Sequence, residues 1–243
     1  MKTSDLDKLI VERAAKRPVA LVTDLKSGSQ EFVYDNEESN KSSLGSEIAL
    51  AALEALRSDQ SGIIEATGRR FFVQVHNPPQ RLLIVGAVHI AQALAPMAAL
   101  TGYAVTIIDP RRAFATDSRF PSMSLSSDWP DEAMAALRPD RRTAVVTLTH
   151  DPKLDDPALA AALRSDAFYI GALGSRKTHG ARVARLKAAG FNDAALARIH
   201  GPVGLSINAE SPAEIAVSIM AQITAVRRQA PEIGSAGQRE HAA

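Results

Sequence analysis

The spacing of apolar positions changes character near residue 78. From Arg81 onward, short and nearly continuous apolar runs alternate with longer segments of helical period. Leu82–Val85, Ala104–Ile108, Thr143–Thr149 and Phe168–Leu173 read as strands. Ile90–Leu100, Trp129–Leu137, Pro157–Leu163, Lys177–Ala189 and Pro212–Arg228 read as helices. Strands without polar alternation are covered on both faces, so this half is expected to be a doubly wound, parallel α/β domain. The first half has a different rhythm. Leu6, Leu9 and Ile10 mark a short amphipathic helix ending near Pro18. Val19–Asp24 and Glu31–Tyr34 pair as a hairpin around Lys26–Ser29, and Asp35–Ser43 is a polar loop. The breaker-free Glu47–Arg57 is a helix. Ile63–Ala66 and Arg70–Val75 form a second hairpin, turning at Thr67-Gly68. His76-Asn77-Pro78-Pro79 is a stiff linker. The expected organisation is a small α/β domain over 1–77, a larger one over 78–228, and a disordered tail over 229–243.

Composition narrows the function. The 243 residues hold 28 Lys+Arg against 27 Asp+Glu, a net charge of +1. Such a balance disfavours a general nucleic-acid binder. No apolar run approaches the roughly 18 residues that span a bilayer, so no membrane partner is expected. The opening MKTSDLDK is too polar for an export signal, and a cytoplasmic location is expected. The chain has no cysteine. Disulfides, thiolate metal sites and cysteine nucleophiles are therefore excluded.

Ligands of a doubly wound sheet bind beyond the carboxyl ends of its strands, so the residues following each strand carry the candidate chemistry. After the first strand of the larger domain comes Gly86-Ala87-Val88-His89-Ile90-Ala91. It matches the first and last positions of a dinucleotide fingerprint, but Val88 stands where the second glycine lets a pyrophosphate approach. The turn is either a modified anion site or a plain strand-to-helix connection, and His89 is either a ligand contact or a surface residue. Asp109 ends the next strand, about 20 residues on, where an acid holds a ribose hydroxyl in dinucleotide sites. Arg111 and Arg112 follow it and suit a phosphate or planar anion. His150 and Asp151 end the third strand, placed to orient a ligand or move a proton. Asp156-Pro157 reads as a helix cap with proline at N1. A metal site built from Asp151, Asp155 and Asp156 is the weaker alternative. The fourth strand runs into Gly171-Ala172-Leu173-Gly174-Ser175-Arg176-Lys177-Thr178-His179. Ser175 can cap the helix, while Arg176, Lys177 and His179 crowd a helix start that is already positive. An anion completing that site explains them; a basic solvated face is the alternative.

These segments together resemble the XdhC/CoxI family. The likeness runs in order over about residues 70–228, and the strings THDP, YIGALGSRKTH and GLSI…SPAEIA carry it. Membership implies a Rossmann-like domain after a smaller α/β domain. It implies a maturation factor that binds, protects and delivers molybdenum cofactor (molybdopterin) to a xanthine dehydrogenase-type hydroxylase, with cofactor sulfuration by a cysteine desulfurase. A chaperone is implied rather than a turnover enzyme, with no catalytic residue and no metal of its own. On that likeness Gly86, His89, Asp109, Arg111, His150, Asp151, Gly171, Gly174, Ser175, Arg176 and His179 are candidate cofactor contacts. Two departures stand out. The family's Gly-Ala-Gly-His turn carries Val88 here, and its Ser-Gly-Gly-Cys-x-Glu segment is matched only by the cysteine-free Ser43-Leu44-Gly45-Ser46-Glu47.

Two other readings compete. One is an NAD(P)-dependent oxidoreductase with Asp109 on the ribose. The other is a partner-docking regulatory module that holds no cofactor, which Val88 and the missing cysteine would suit. A homodimer is the default assembly.

Overall fold

A computed structural model describes residues 3–35 and 44–228. The chain forms two compact units, Met1–Pro78 and Pro79–Ala243. The expected disordered tail and most of the expected polar loop after Tyr34 lie outside the described residues.

The first unit comprises α1 (Thr3–Ala14), β1 (Val19–Asp24), β2 (Gln30–Tyr34), α2 (Ser46–Ser58), β3 (Gly62–Ala66) and β4 (Arg69–His76). Its antiparallel sheet has the order β2-β1-β4-β3. The central strand β1 is buried on both faces, from Val19 to Val22. Ala20, Val22, Val33, Phe71 and Val73 face α2, whose Ile48, Ala52 and Leu56 repeat at helical spacing to meet them. Strand alternation turns Phe32 and Tyr34 to the opposite face, where the Lys8 ammonium of α1 lies 4.8 and 5.5 Å from their ring centres. The β1–β2 turn is organised by the buried Asp24. Its carboxylate accepts from Ser27 Oγ, the Lys26 amide and Arg69, and these bonds hold its pKa far below the usual carboxylate range.

The second unit comprises β5 (Gln80–Val85), α3 (His89–Leu100), β6 (Tyr103–Ile108), β7 (Ser124–Ser126), α4 (Pro130–Leu137), β8 (Thr143–Thr147), α5 (Pro152–Leu163), β9 (Tyr169–Ala172), α6 (Arg176–Ala188), α7 (Asp193–Leu196), β10 (Ile199–His200) and α8 (Pro212–Arg227). Its six strands are all parallel, in the order β10-β9-β8-β5-β6-β7. This is the Rossmann order, and the two-part α/β architecture is the one the sequence pattern implies. Alternate strand residues feed two cores. Leu82, Ile84, Ile107 and Val146 pack under α3 and α8. Leu83, Val85, Val145 and Ile170 pack under α4, α5 and α6. The order reverses between β5 and β8, so a crevice opens beyond their carboxyl ends.

One helix start differs from expectation. The helix after β8 begins at Pro152, not Pro157, and Asp151 is its N-cap, accepting from the Lys153 amide at 2.9 Å. Asp151-Pro152 is an equally good cap-and-proline pair, and the earlier start lets Leu154 and Asp155 reach the interior. Pro157 is carried inside the helix, and Asp156 is freed to pair with Arg185. Among the described residues, no helix is long and apolar enough to cross a membrane.

Candidate functional site

The turn from β5 into α3 is built around Gly86, whose φ of 109° lies in the region that favours glycine. A Cβ there would come within 2.5 Å of Thr149 Cγ2, so the β5 and β8 ends touch through the missing side chain. Val88 stands at the N-cap with φ −93° and ψ 177°, extended backbone that a β-branched residue adopts without strain. Its side chain packs against the core on the α3 face. The consequence lies in the helix start. Val88 supplies no capping group, the first turn of α3 holds no acid, and the first helix-start amide engaged beyond it is that of Gln92. Every other helix of this unit has a side-chain cap or acids in its first turn. Among the described residues, α3 therefore presents unsatisfied N–H groups at the switch point, with His89 exposed beside them.

Asp109 closes β6 from within. Its side chain has 0% exposure, and both oxygens are engaged. Oδ2 accepts from the Ala87 amide and Arg111 Nη2, both at 2.8 Å; Oδ1 accepts from the Arg111 amide and Nε at 3.0 and 2.9 Å. Burial pushes its pKa up, but the Arg111 and Ala87 hydrogen bonds outweigh that and hold it below the ordinary value. Asp109 thus shapes the β5–α3 turn and aims Arg111; a ribose hydroxyl has no lone pair to reach. Arg111 is half-exposed, stacks 4.6 Å over Phe114, and is further stabilised in its charged form by Asp109 first and then by Asp151 across the crevice. Arg119 bonds the Phe114 carbonyl and Gln92 Oε1, which ties this loop to α3.

Beyond β8, Thr149 Oγ1 donates to Asp155 Oδ1 at 2.6 Å and accepts from the Asp151 amide at 3.1 Å. His150 between them is exposed, with φ 63°. Histidine is among the residues that tolerate this left-handed conformation.

Beyond β9 the glycines divide. Gly171 is buried, and a Cβ there would strike Val203 and Tyr169, so its lack of a side chain serves packing. Gly174 has φ 145° and opens the turn into α6. Ser175 caps α6 through the Thr178 amide at 3.1 Å. Arg176 and Lys177 are exposed at its first turn, and His179 lies half-buried with its ring against Gly201. Burial first, and the Arg182 charge second, lower the His179 pKa.

The remaining cations of this segment have structural partners. Arg185 grips Asp156 at 2.5 and 2.9 Å, Lys187 meets Asp193 at 2.8 Å, and Arg198 donates to the carbonyls of Leu163, Ser165 and Ala167. Arg182 differs: it is 1% exposed, donates to the Leu173 carbonyl at 2.8 Å and meets Asp155 Oδ2 at 3.4 Å. The order of residues alone offers Asp155 only the weaker metal reading and does not join it to Arg182 and Thr149, because only the fold brings β8, α5 and α6 together. Arg182 acts on two neighbours: its charge lowers the pKa of Asp155, against the larger effect of burial, and lowers that of His179. No group of three or more potential metal ligands assembles among the described residues, so Asp151, Asp155 and Asp156 form no metal centre. Two shallow grooves of about 580 and 510 Å³ lie elsewhere, between α4 and α5 and between α3 and α8.

Comparison with known proteins agrees with this architecture. Residues 82–223 match the XdhC Rossmann domain. The molybdenum cofactor insertion chaperone PaoD of Escherichia coli is 35% identical over 62% of this chain and 41% of its own length. The uncharacterised protein YqeB of E. coli is 32% identical over 73% of the chain and 32% of its own length. A Bacillus subtilis protein described as a probable xanthine dehydrogenase subunit is 33% identical over 65% of the chain and 46% of its own. The matched regions thus span less than half of each curated relative. The crystal structure of a Bacillus halodurans protein described as a xanthine dehydrogenase superposes with a TM-score of 0.70 at 24% identity, covering 93% of this chain and 67% of that one. That likeness is one of fold. The chain, with its Rossmann unit matched through most of its length, belongs to the XdhC family.

Proposed function

We propose that this protein binds molybdenum cofactor as cargo and delivers it to a xanthine dehydrogenase-type hydroxylase, acting as a maturation chaperone and not as a turnover enzyme. Family membership and the likeness to a named insertion chaperone support the reading. The observation that carries it is the uncapped, acid-free start of α3 at the β5/β8 reversal. Molybdopterin carries a phosphate and a flat, hydrogen-bonding pterin. The α3 amides suit the phosphate. His89, Arg111, His150 and Asp151 surround the crevice mouth with donors and acceptors for the pterin, and Arg176 and His179 stand at the neighbouring turn. Gly86, Asp109, Gly174 and Ser175 fix the turns that hold them, and Gly171 packs within β9 below.

The chain has no cysteine, so it offers no thiolate to the metal. Sulfuration then falls to a separate cysteine desulfurase, and cargo is held by charge and hydrogen bonds alone. We place the protein in the cytoplasm as a homodimer. An NAD(P)-dependent reaction is disfavoured by the engaged Asp109 carboxylate. Calorimetric titration of the purified protein with molybdopterin tests the proposal. Saturable micromolar binding, with no response to millimolar NAD or NADP, is expected; no saturable binding of molybdopterin overturns it.

A further inference from the structure

The least expected group in the molecule is the Arg182 guanidinium. Arg182 lies on the second turn of α6, and its side chain runs back toward the helix start, as long side chains in helices do. It is 1% exposed, yet Nε and Nη1 have no hydrogen-bond partner. Its counter-charge is weak. Asp155 lies 3.4 Å from Nη2, its other oxygen is taken by Thr149, and burial pushes its pKa up. A buried cation with two idle donors and a poor partner is costly unless something else completes it.

The position of one of those donors points to the missing group. Nη1 lies 3.8 Å from the point that a Cβ of Gly174 would occupy, so the guanidinium borders the turn opening α6. On that turn, among the described residues, no acceptor meets the amides of Arg176 and Lys177. Ser175 satisfies only the Thr178 amide. One idle guanidinium donor, Nη1, and two idle amides thus belong to the same turn, where the side chains of Arg176 and Lys177 are exposed. Thr178 Cβ stands 3.1 Å from the same point on Gly174, so its side chain borders the space next to Nη1.

We propose that the Gly174–Lys177 turn and Arg182 form a second oxyanion site, in which Arg182 is the buried donor to a tetrahedral phosphate-like group. The proposal rests on reading the neighbouring crevice as an anionic cargo site, and it makes the whole strand-end edge a two-point anion receptor. The occupant is either a second anionic group of the cargo or a free oxyanion; the chemistry recognised is the same.

The test uses the full chain labelled with ¹⁵N, titrated with inorganic phosphate and followed by NMR. The Arg182 Nε–H resonance and the Arg176 and Lys177 amides are expected to shift saturably. Arg182→Met combined with Asp155→Asn removes both buried charges and leaves the melting temperature near that of the parent chain, while phosphate affinity at this turn falls at least tenfold. If the α3 amides of His89 and Ile90 shift and Arg182 does not, this inference fails and the crevice reading stands. If neither set responds, both fail. Adding molybdopterin to the phosphate-loaded protein separates the sources. Displacement of phosphate from Arg182 assigns the site to the cargo, and simultaneous binding assigns it to a free oxyanion.

Discussion

The γ-methyl of Thr149 fills the space where a side chain on Gly86 would begin, 2.5 Å from the ideal Cβ position. The ends of β5 and β8 are locked together there, across the reversal in strand order. Gly86→Ala forces that methyl aside and also places a side chain at φ 109°. Strain and overpacking together should cost about 3 kcal/mol. Thr149→Ser in the same background removes the methyl and keeps the hydroxyl bond to Asp155, so it should recover the steric part and leave the backbone part. Urea denaturation of the two single variants and the double variant yields the coupling directly.

Asp109 is the second fixed point of the crevice. Its hydrogen bonds lower its pKa against the opposing effect of burial, so the folded state holds the carboxylate ionised more strongly than the unfolded chain does. The stabilisation is present above the unfolded value of 3.8 and disappears as pH falls through the folded value. Asp109→Asn should therefore lose about 2 kcal/mol at neutral pH, on the scale of charge-assisted bonds. Parent and variant should converge in stability as the pH drops below the folded pKa of Asp109. Arg111, released from its brace, should also become more susceptible to arginine-specific reagents. A pH series of denaturation midpoints for both chains is the check.

The start of α3 makes a prediction with two opposite signs. His89→Asp puts an acid into a first turn that has none. Interaction with the helix dipole should raise stability by about 0.5 kcal/mol. The same carboxylate competes with an incoming anion, so molybdopterin or phosphate affinity at the crevice should fall severalfold. Thermal melting and calorimetric binding on the same samples separate the two effects. A helix start selected only for stability would not show the trade.

Much of this arrangement is legible in the order of residues. The parallel sheet follows from apolar runs such as Leu82–Val85, and the strand-end turns follow from Gly86 and Gly174 beside polar side chains. What escapes the sequence has particular causes. β7 and β10 are three and two residues long, too short for any periodicity, and Ser124–Ser126 is polar. The α5 start is ambiguous because Asp151-Pro152 and Asp156-Pro157 are the same signal five residues apart, and burial of Leu154 and Asp155 decides between them. Val88 looks like an obstruction in a glycine motif until its extended backbone and inward packing are seen. Arg182 looks like surface charge because Arg185 and Lys187 share its helix. Its partner, Asp155, lies on another helix, and nothing local announces the pair.

Acid sensitivity should come from half-buried histidines. His200 stacks on Tyr169, with ring centres 4.8 Å apart, and burial lowers its pKa from 6.5. His179 is lowered by burial and then by Arg182; in the first unit, His76 is lowered by burial and then by Arg13. A depressed folded pKa means that the unfolded chain binds protons first as pH falls. The contribution of these groups is therefore complete above 6.5 and is lost as pH falls through their folded values. Asp155 acts in the opposite sense. Burial raises its folded pKa, so its contribution is largest below 3.8 and is lost as pH rises through the folded value. The urea midpoint should thus decline from pH 7.5 to 5. His200→Phe keeps a flat ring against Tyr169 and removes one of the titrating groups. Its midpoint should decline less steeply over the same interval, while a slope equal to that of the parent chain would show that His200 is not a source of the acid sensitivity.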